Sequence, residues 1–330
     1  MLNTAIQKRL KRTLPAFAAL ALIVIVTFVL WQSKRDRNVL RGHTGPVYGF
    51  AASHEMRMVI TGGEDRSVRF WDMNSQTSSN ILWGHSEAVV GVAVNRQDGM
   101  VASSSMDGTV ILWDPITQRD LHILKGHAAR VDQVAFSYDG KRLATAGWDG
   151  FIGVWNVSTG KQERMLKGTE RGMVATAFSP NTGQLAGAGW AGSIIVWKTA
   201  DFSKLQEWDA HPGGVYRLCY STDGSLLASA GWDGTGGLWD AKTHQEVVRF
   251  TGSEQPLLCI AFSPEAAYVA AGGHDGKVRV WNITGELVWT LEGHLDHVHG
   301  VAFSPSGFEI YSASKDGTVR LWDLHSAKKH

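Results

Sequence analysis

The chain has 330 residues, of which 44% are hydrophobic, and it balances 32 Lys and Arg against 31 Asp and Glu. Its formal net charge is only +1 and no basic patch of the kind that binds nucleic acid stands out, so that partner class is not expected. Its two cysteines, Cys219 and Cys259, lie in apolar runs, which excludes a disulfide framework and any CxxC redox or haem-attachment motif; they read as buried free thiols.

Residues 1–13 are short and basic, carrying Lys8, Arg9, Lys11 and Arg12. Residues 14–31 follow, LPAFAALALIVIVTFVLW, and no charge occurs from Thr13 through Ser33. Those 21 residues would span about 31 Å as a helix, enough for one bilayer crossing. A cleaved signal peptide also begins with basic residues and an apolar run. Here, however, the small pairs Ala16/Ala18 and Ala19/Ala21 lie at the start of the run, and bulky Val29-Leu30-Trp31 stand where a peptidase needs small residues. The expectation is one transmembrane helix, an uncleaved signal anchor, with Trp31 at the interface. Lys34, Arg35, Arg37 and Arg41 follow it, offset by Asp36, so orientation is weakly encoded; the reading places the remaining chain on the exoplasmic or periplasmic side. The linker 32–37 reaches at most about 20 Å.

From residue 38 the chain repeats one unit. In Arg142-Leu-Ala-Thr-Ala-Gly-Trp-Asp-Gly-Phe-Ile-Gly-Val-Trp-Asn156 an apolar strand, a tight turn and a second strand end on a tryptophan. Closing tryptophans recur at Trp71, Trp113, Trp155, Trp197, Trp239, Trp281 and Trp322, spaced by 42 residues five times and then 41. A marker 28 residues earlier is His43, His85, His127, His211 and His294, with Thr169 and Ser253 in two weaker copies. A period of about 40–45 residues with four short strands per unit is the pattern of a propeller blade. On these residues the chain resembles the WD40 repeat family over about residues 38–323. The resemblance implies an all-β, seven-bladed propeller, preceded here by the single transmembrane helix. The chain stops shortly after Trp322-Asp323, so repeat 7 has no outer strand of its own. Residues 38–41 are expected to supply it, which closes the ring and removes an exposed sheet edge, leaving 324–330 as a tail.

The family's blades are stapled by a His, a Ser or Thr, an Asp and the Trp. The matching sets are His43/Thr61/Asp65/Trp71, His85/Ser103/Asp107/Trp113 and His127/Thr145/Asp149/Trp155. Repeats 5 and 7 add His211/Ser229/Asp233/Trp239 and His294/Ser312/Asp316/Trp322. An imidazole between a carboxylate and a hydroxyl satisfies polar groups that are costly to bury alone. Five copies, each tied to a Trp, argue against reading them as hydrolase triads. Repeat 4 has lost the set together, with Thr169, Gly187 and Ala191; repeat 6 has Ser253 and Ala271 but keeps Asp275. The GxGxxG match at 187–192 falls in a strand-to-strand turn with no following helix, so it is not a phosphate loop. Asn156-Val-Ser158 and Asn282-Ile-Thr284 match the glycosylation pattern but sit where Asp usually opens a turn, and turn chemistry is the reading.

The residue before each turn Asp faces the side of the disc that this family most often uses for partners. Repeats 3 to 5 place Trp148, Trp190 and Trp232 there, and repeat 6 places His274. Inner-strand positions resembling the family's other contact sites are Tyr48, Arg130, Asp132, Tyr216, His297 and His299. Trp, Tyr and Arg are enriched in interaction hot spots, although near-identical AGW turns also fit recent duplication. His274, His297 and His299 lack supporting Cys, Asp or Glu at ligand spacing, so a metal site is not expected. Nor is a cofactor, a small-molecule substrate or a nucleic acid. The sequence therefore reads as a non-catalytic protein-interaction subunit of a membrane complex. A secreted or periplasmic soluble binding propeller after signal cleavage, or a metal- or cofactor-binding propeller, are the alternatives.

Overall fold

Short runs of Val, Ile, Ala and Thr, punctuated by Gly- and Asp-containing turns, form 28 strands in seven four-stranded sheets. The computed structural model describes residues 38–53, 57–327 and 329. The expected membrane helix at 14–31 and its linker lie outside the described residues. Among the described residues no helix is long and apolar enough to cross a membrane.

Blade 3 shows the plan. Val131–Phe136, Arg142–Gly147, Phe151–Asn156 and Gln162–Lys167 pair antiparallel in that order. The two middle strands are buried almost throughout, because a neighbouring blade covers each face; the outer strand alternates exposed and covered residues. Gly150 turns the chain with φ +88°, where a side chain would strain the backbone. Gly147 is required by space, since a Cβ there would lie 2.2 Å from His127 Nδ1. The other blades occupy 47–83, 89–124, 173–209, 215–250, 257–291 and 298–323. Asn156 and Asn282 accept hydrogen bonds from Thr159 and Thr284 within their turns, the chemistry expected of them.

Successive inner strands are neighbours all the way round, with the last against the first. Each of the seven joints holds its own apolar cluster. At the joint between blades 7 and 1, Leu40 packs with Val47, Trp71 and Val319 and is 3% exposed. Leu40 belongs to Val39–Arg41, which pairs outside Thr318–Asp323 as the fourth strand of blade 7. Burying a leucine of this kind stabilises by about 1.5–3 kcal/mol, before counting the edge that the strand covers.

The five expected staples form. In each, His Nδ1 lies 2.9–3.1 Å from the Asp carboxylate and Nε2 lies 2.7–2.8 Å from the hydroxyl. The Trp indole donates to that same hydroxyl oxygen at 2.7–2.9 Å. A neutral imidazole with its proton on Nδ1 satisfies every member. The hydroxyl residues Thr61, Ser103, Thr145, Ser229 and Ser312 hold the internal, structural place that the sequence assigns to them. Each is 0% exposed, and each hydroxyl is shared between an imidazole and an indole. None of the five therefore belongs to a surface that a partner or a substrate could reach; they sit in the middle strands, which neighbouring blades cover on both sides. In four blades a further hydroxyl two residues after the Asp donates to it: Ser67, Thr109, Thr235 and Thr318.

The two exceptional blades use different substitutes. In blade 4 the fully buried Met173 sits beside Trp197, and a Cβ on Gly187 would lie 2.9 Å from the indole and 3.0 Å from Met173. An apolar side chain thus packs where other blades place the imidazole, and neither the carboxylate nor the strand hydroxyl is left behind. In blade 6 Asp275 instead pairs with Arg279 at 2.7 Å, and the Trp281 indole donates to the Thr251 carbonyl at 2.8 Å.

Three outcomes follow from this architecture. Removing residues 1–41 should lower the melting temperature far more than removing 1–33, because only the longer deletion takes Leu40 and its strand; calorimetry of the two truncations checks this. His127→Ala should cost about 1–3 kcal/mol in denaturant unfolding through the orphaned Asp149 and Thr145, and Thr169→Ala less than about 0.5 kcal/mol.

Acid should act in two stages. Burial holds His85 and His294 below their usual 6.5, so the unfolded chain takes up those protons first and stability falls as pH drops below about 6.5. Burial raises the Asp107 carboxyl, but hydrogen bonds from Thr109 and the Ser86 amide outweigh it and hold it at about 2. Stability from that depressed carboxyl is present above its unfolded value of 3.8 and is lost as pH falls towards 2. Melting temperatures measured between pH 7 and 2 should show both declines.

Candidate functional site

Every inner strand opens with the same irregularity. Its pairing to the second strand slips between the first and third residues, as at Val47/Gly49, Val131/Gln133 and Val215/Arg217. The second residue is thereby left out of the ladder, the signature of a β-bulge, which re-aims its side chain. Around the ring these residues are Tyr48, Val90, Asp132, Val174, Tyr216, Leu258 and His299. All seven line one cavity of about 180 Å³ at the mouth of the central channel. Arg130, Met106 and Arg217 complete its wall. A second cavity, of about 150 Å³, continues along the channel and shares Arg217 and His299 with the first.

Beside this mouth the residues before the turn Asp form an aromatic row. Trp148 meets Trp190 edge-on at 5.9 Å between ring centroids, and Trp190 meets Trp232 at 5.7 Å. Tyr216 stands edge-on to Trp190 at 5.1 Å and stacks on Trp232 at 5.6 Å with planes 15° apart. The row continues from Trp232 to His274 at 6.2 Å and from His274 to His297 at 3.4 Å. His299 then bridges His297 and Tyr48, at 6.1 and 5.3 Å. Trp148 and Trp232 keep 42% and 40% of their surface exposed. Trp190, between them, is more covered, and its Nε1 is buried with no hydrogen-bond partner.

Charged groups mark the ends of the row. Arg130 lies over the Trp148 ring at 4.4 Å and pairs with Asp132 at 2.6 Å. The other Asp132 oxygen accepts from Trp148 Nε1 at 2.6 Å, so both are engaged. Burial nevertheless pushes the Asp132 carboxyl up. Tyr48 donates to Glu64 at 3.1 Å, and burial with that carboxylate raises its phenol to about 12. Burial, helped by the charges of Arg217, His297 and Lys315, takes His299 down to about 3, so its imidazole is neutral.

The structure thus brings all ten partner-face residues read from the sequence into one surface. Val90, Val174, Leu258 and Arg217 were not among them. The bulge register would have located them, since each lies one or two residues after an inner strand's first apolar residue. The His274 and His297 ring centroids lie 3.4 Å apart with planes tilted by 31°, and among the described residues no group of three His, Cys, Asp or Glu is placed to hold a metal ion. Cys219 and Cys259 are free thiols, and burial raises both to about 12, so neither is a thiolate at neutral pH.

No match to a curated protein is found. The family model described as WD domain, G-beta repeat matches residues 34–72, 76–114, 118–156, 202–240, 244–282 and 285–323. The repeat it passes over ends at Trp197, the one that lacks the His, hydroxyl and Asp of the staple, yet four strands form there as elsewhere. With six repeats matched over more than half its length and the blades in place, the chain belongs to the WD40 family.

Proposed function

We propose that this chain is a non-catalytic interaction subunit, a propeller anchored in a membrane by residues 14–31 and presenting its aromatic face to another protein of a larger complex. WD40 propellers generally bind other proteins, and the observation that carries the reading here is the row from Trp148 through Trp190 to Trp232. Three tryptophans and Tyr216 in mutual edge-to-face and stacked contact make a preorganised apolar surface of the residue types that dominate interfaces. The buried, unpartnered Trp190 Nε1 adds weight, because nothing in the fold itself compensates that desolvated donor. Protonated thiols and imidazoles committed to blade staples support a role without chemistry of its own.

Trp190→Ala combined with Trp232→Ala should release a co-purifying subunit from mild-detergent extracts, with each truncation weakening binding by about 2 kcal/mol or more. The variant should keep its circular dichroism and remain in the membrane fraction. Retention of every co-purifying subunit would reduce the row to a trace of blade duplication, and release of the intact chain into the soluble fraction without detergent would rule out the anchor.

A further inference from the structure

Arg217 is the unusual charge of this molecule. It follows Tyr216 on the inner strand of blade 5, and it lines both cavities of the central channel. Its guanidinium makes no ion pair or hydrogen bond among the described residues. The carboxylate acting on it most, Asp132, has both oxygens committed to Arg130 and Trp148. The Cys259 thiol beside it is protonated, and His299 is neutral. Burial pulls the guanidinium below its ordinary value, but arginine stays charged under any ordinary condition. The side chain is only half-buried, so the cation faces the channel with its donors open.

Access to this cation runs through the mouth. Val90, Val174 and Leu258 supply apolar walls, while Tyr48 and Tyr216 stand opposite. At the third position of the inner strand, where blade 5 has Arg217, blades 1, 2 and 7 have Gly49, Gly91 and Gly300. The mouth cavity of about 180 Å³ holds a side chain but not a folded segment. A planar guanidinium matches a carboxylate with two parallel hydrogen bonds. A carboxylate on a methylene stem can reach Arg217 through a mouth of this size without bringing main-chain atoms with it.

We propose that Arg217 is the receptor for a glutamate side chain that a partner loop inserts through the aromatic-rimmed mouth. The proposal rests on the reading of this face as the partner surface. The aromatic row then supplies area, and Arg217 supplies selectivity for an acidic residue at the centre of the contact.

The test uses the full chain in mild detergent and three blocked amino acids as probes, followed by ligand-observed NMR. N-acetylglutamic α-amide carries the side-chain carboxylate, N-acetylglutamine amide is its neutral isostere, and N-acetylalanine carries a terminal carboxylate. Saturable binding of the first, with the second at least tenfold weaker, is the expected result. Arg217→Met should weaken the glutamate probe about tenfold or more while leaving the melting temperature equal or higher, since the unpaired charge is gone. Equal binding of the two amide probes, or no change in Arg217→Met, would overturn the proposal. Equal binding of N-acetylalanine would overturn the side-chain assignment. A lower melting temperature in Arg217→Met with unchanged probe binding would make Arg217 a structural residue. If the Trp190/Trp232 double variant loses a partner that Arg217→Met still holds, the face stands and the glutamate receptor falls.

Discussion

A four-stranded sheet whose two middle strands are apolar on both faces has nowhere to put those faces except against other sheets. That constraint generates the ring. Each joint buries its own cluster between two blades, so every blade depends on both neighbours and none is a terminus. The borrowed strand Val39–Arg41 is the price of closure, since it makes the first and last repeats as dependent on each other as any other pair. The staples fix the orientation of the Trp within each blade, and they work inside a geometry that the joints impose.

Blades 4 and 6 show how far the staple is interchangeable. A buried polar network is stable when complete and costly when partial. Blade 4 reaches an acceptable state by losing the imidazole, the strand hydroxyl and the carboxylate together and packing Met173 beside Trp197. Blade 6 reaches it by giving Asp275 a new cation, Arg279, and Trp281 a carbonyl acceptor. Neither has an orphaned carboxylate.

The repeat period, blade number, closing strand and five staples were legible in the sequence because they repeat in phase, so each copy vouches for the others. The replacements were not. Met173 stands where the other inner strands begin with Val or Leu, and Arg279 recurs as Arg69 and Arg320 two residues before other closing tryptophans, so nothing in the pattern marks either as a replacement. Arg217 was hidden for a related reason. At its position blades 1, 2 and 7 carry glycine, and nothing in a single sequence says that a bulge will leave a long side chain in the channel. The aromatic row was legible as residue types on one face. Its continuity through Tyr216 to the histidines came only with the coordinates.

The bulge has a meaning beyond local geometry. A residue left out of the ladder has no strand partner whose register it must keep, so its side chain is set by the channel rather than by the sheet. Blades 3, 4 and 5 illustrate this: their turns are nearly identical, Ala-Gly-Trp followed by Asp or Ala and then Gly, but their bulge residues are Asp132, Val174 and Tyr216. Copying a blade therefore multiplies the scaffold and at the same time adds one independently adjustable position to the rim of the channel. Seven such positions, none of them bound to a ladder partner, let one architecture carry different recognition chemistries around the rim of its channel.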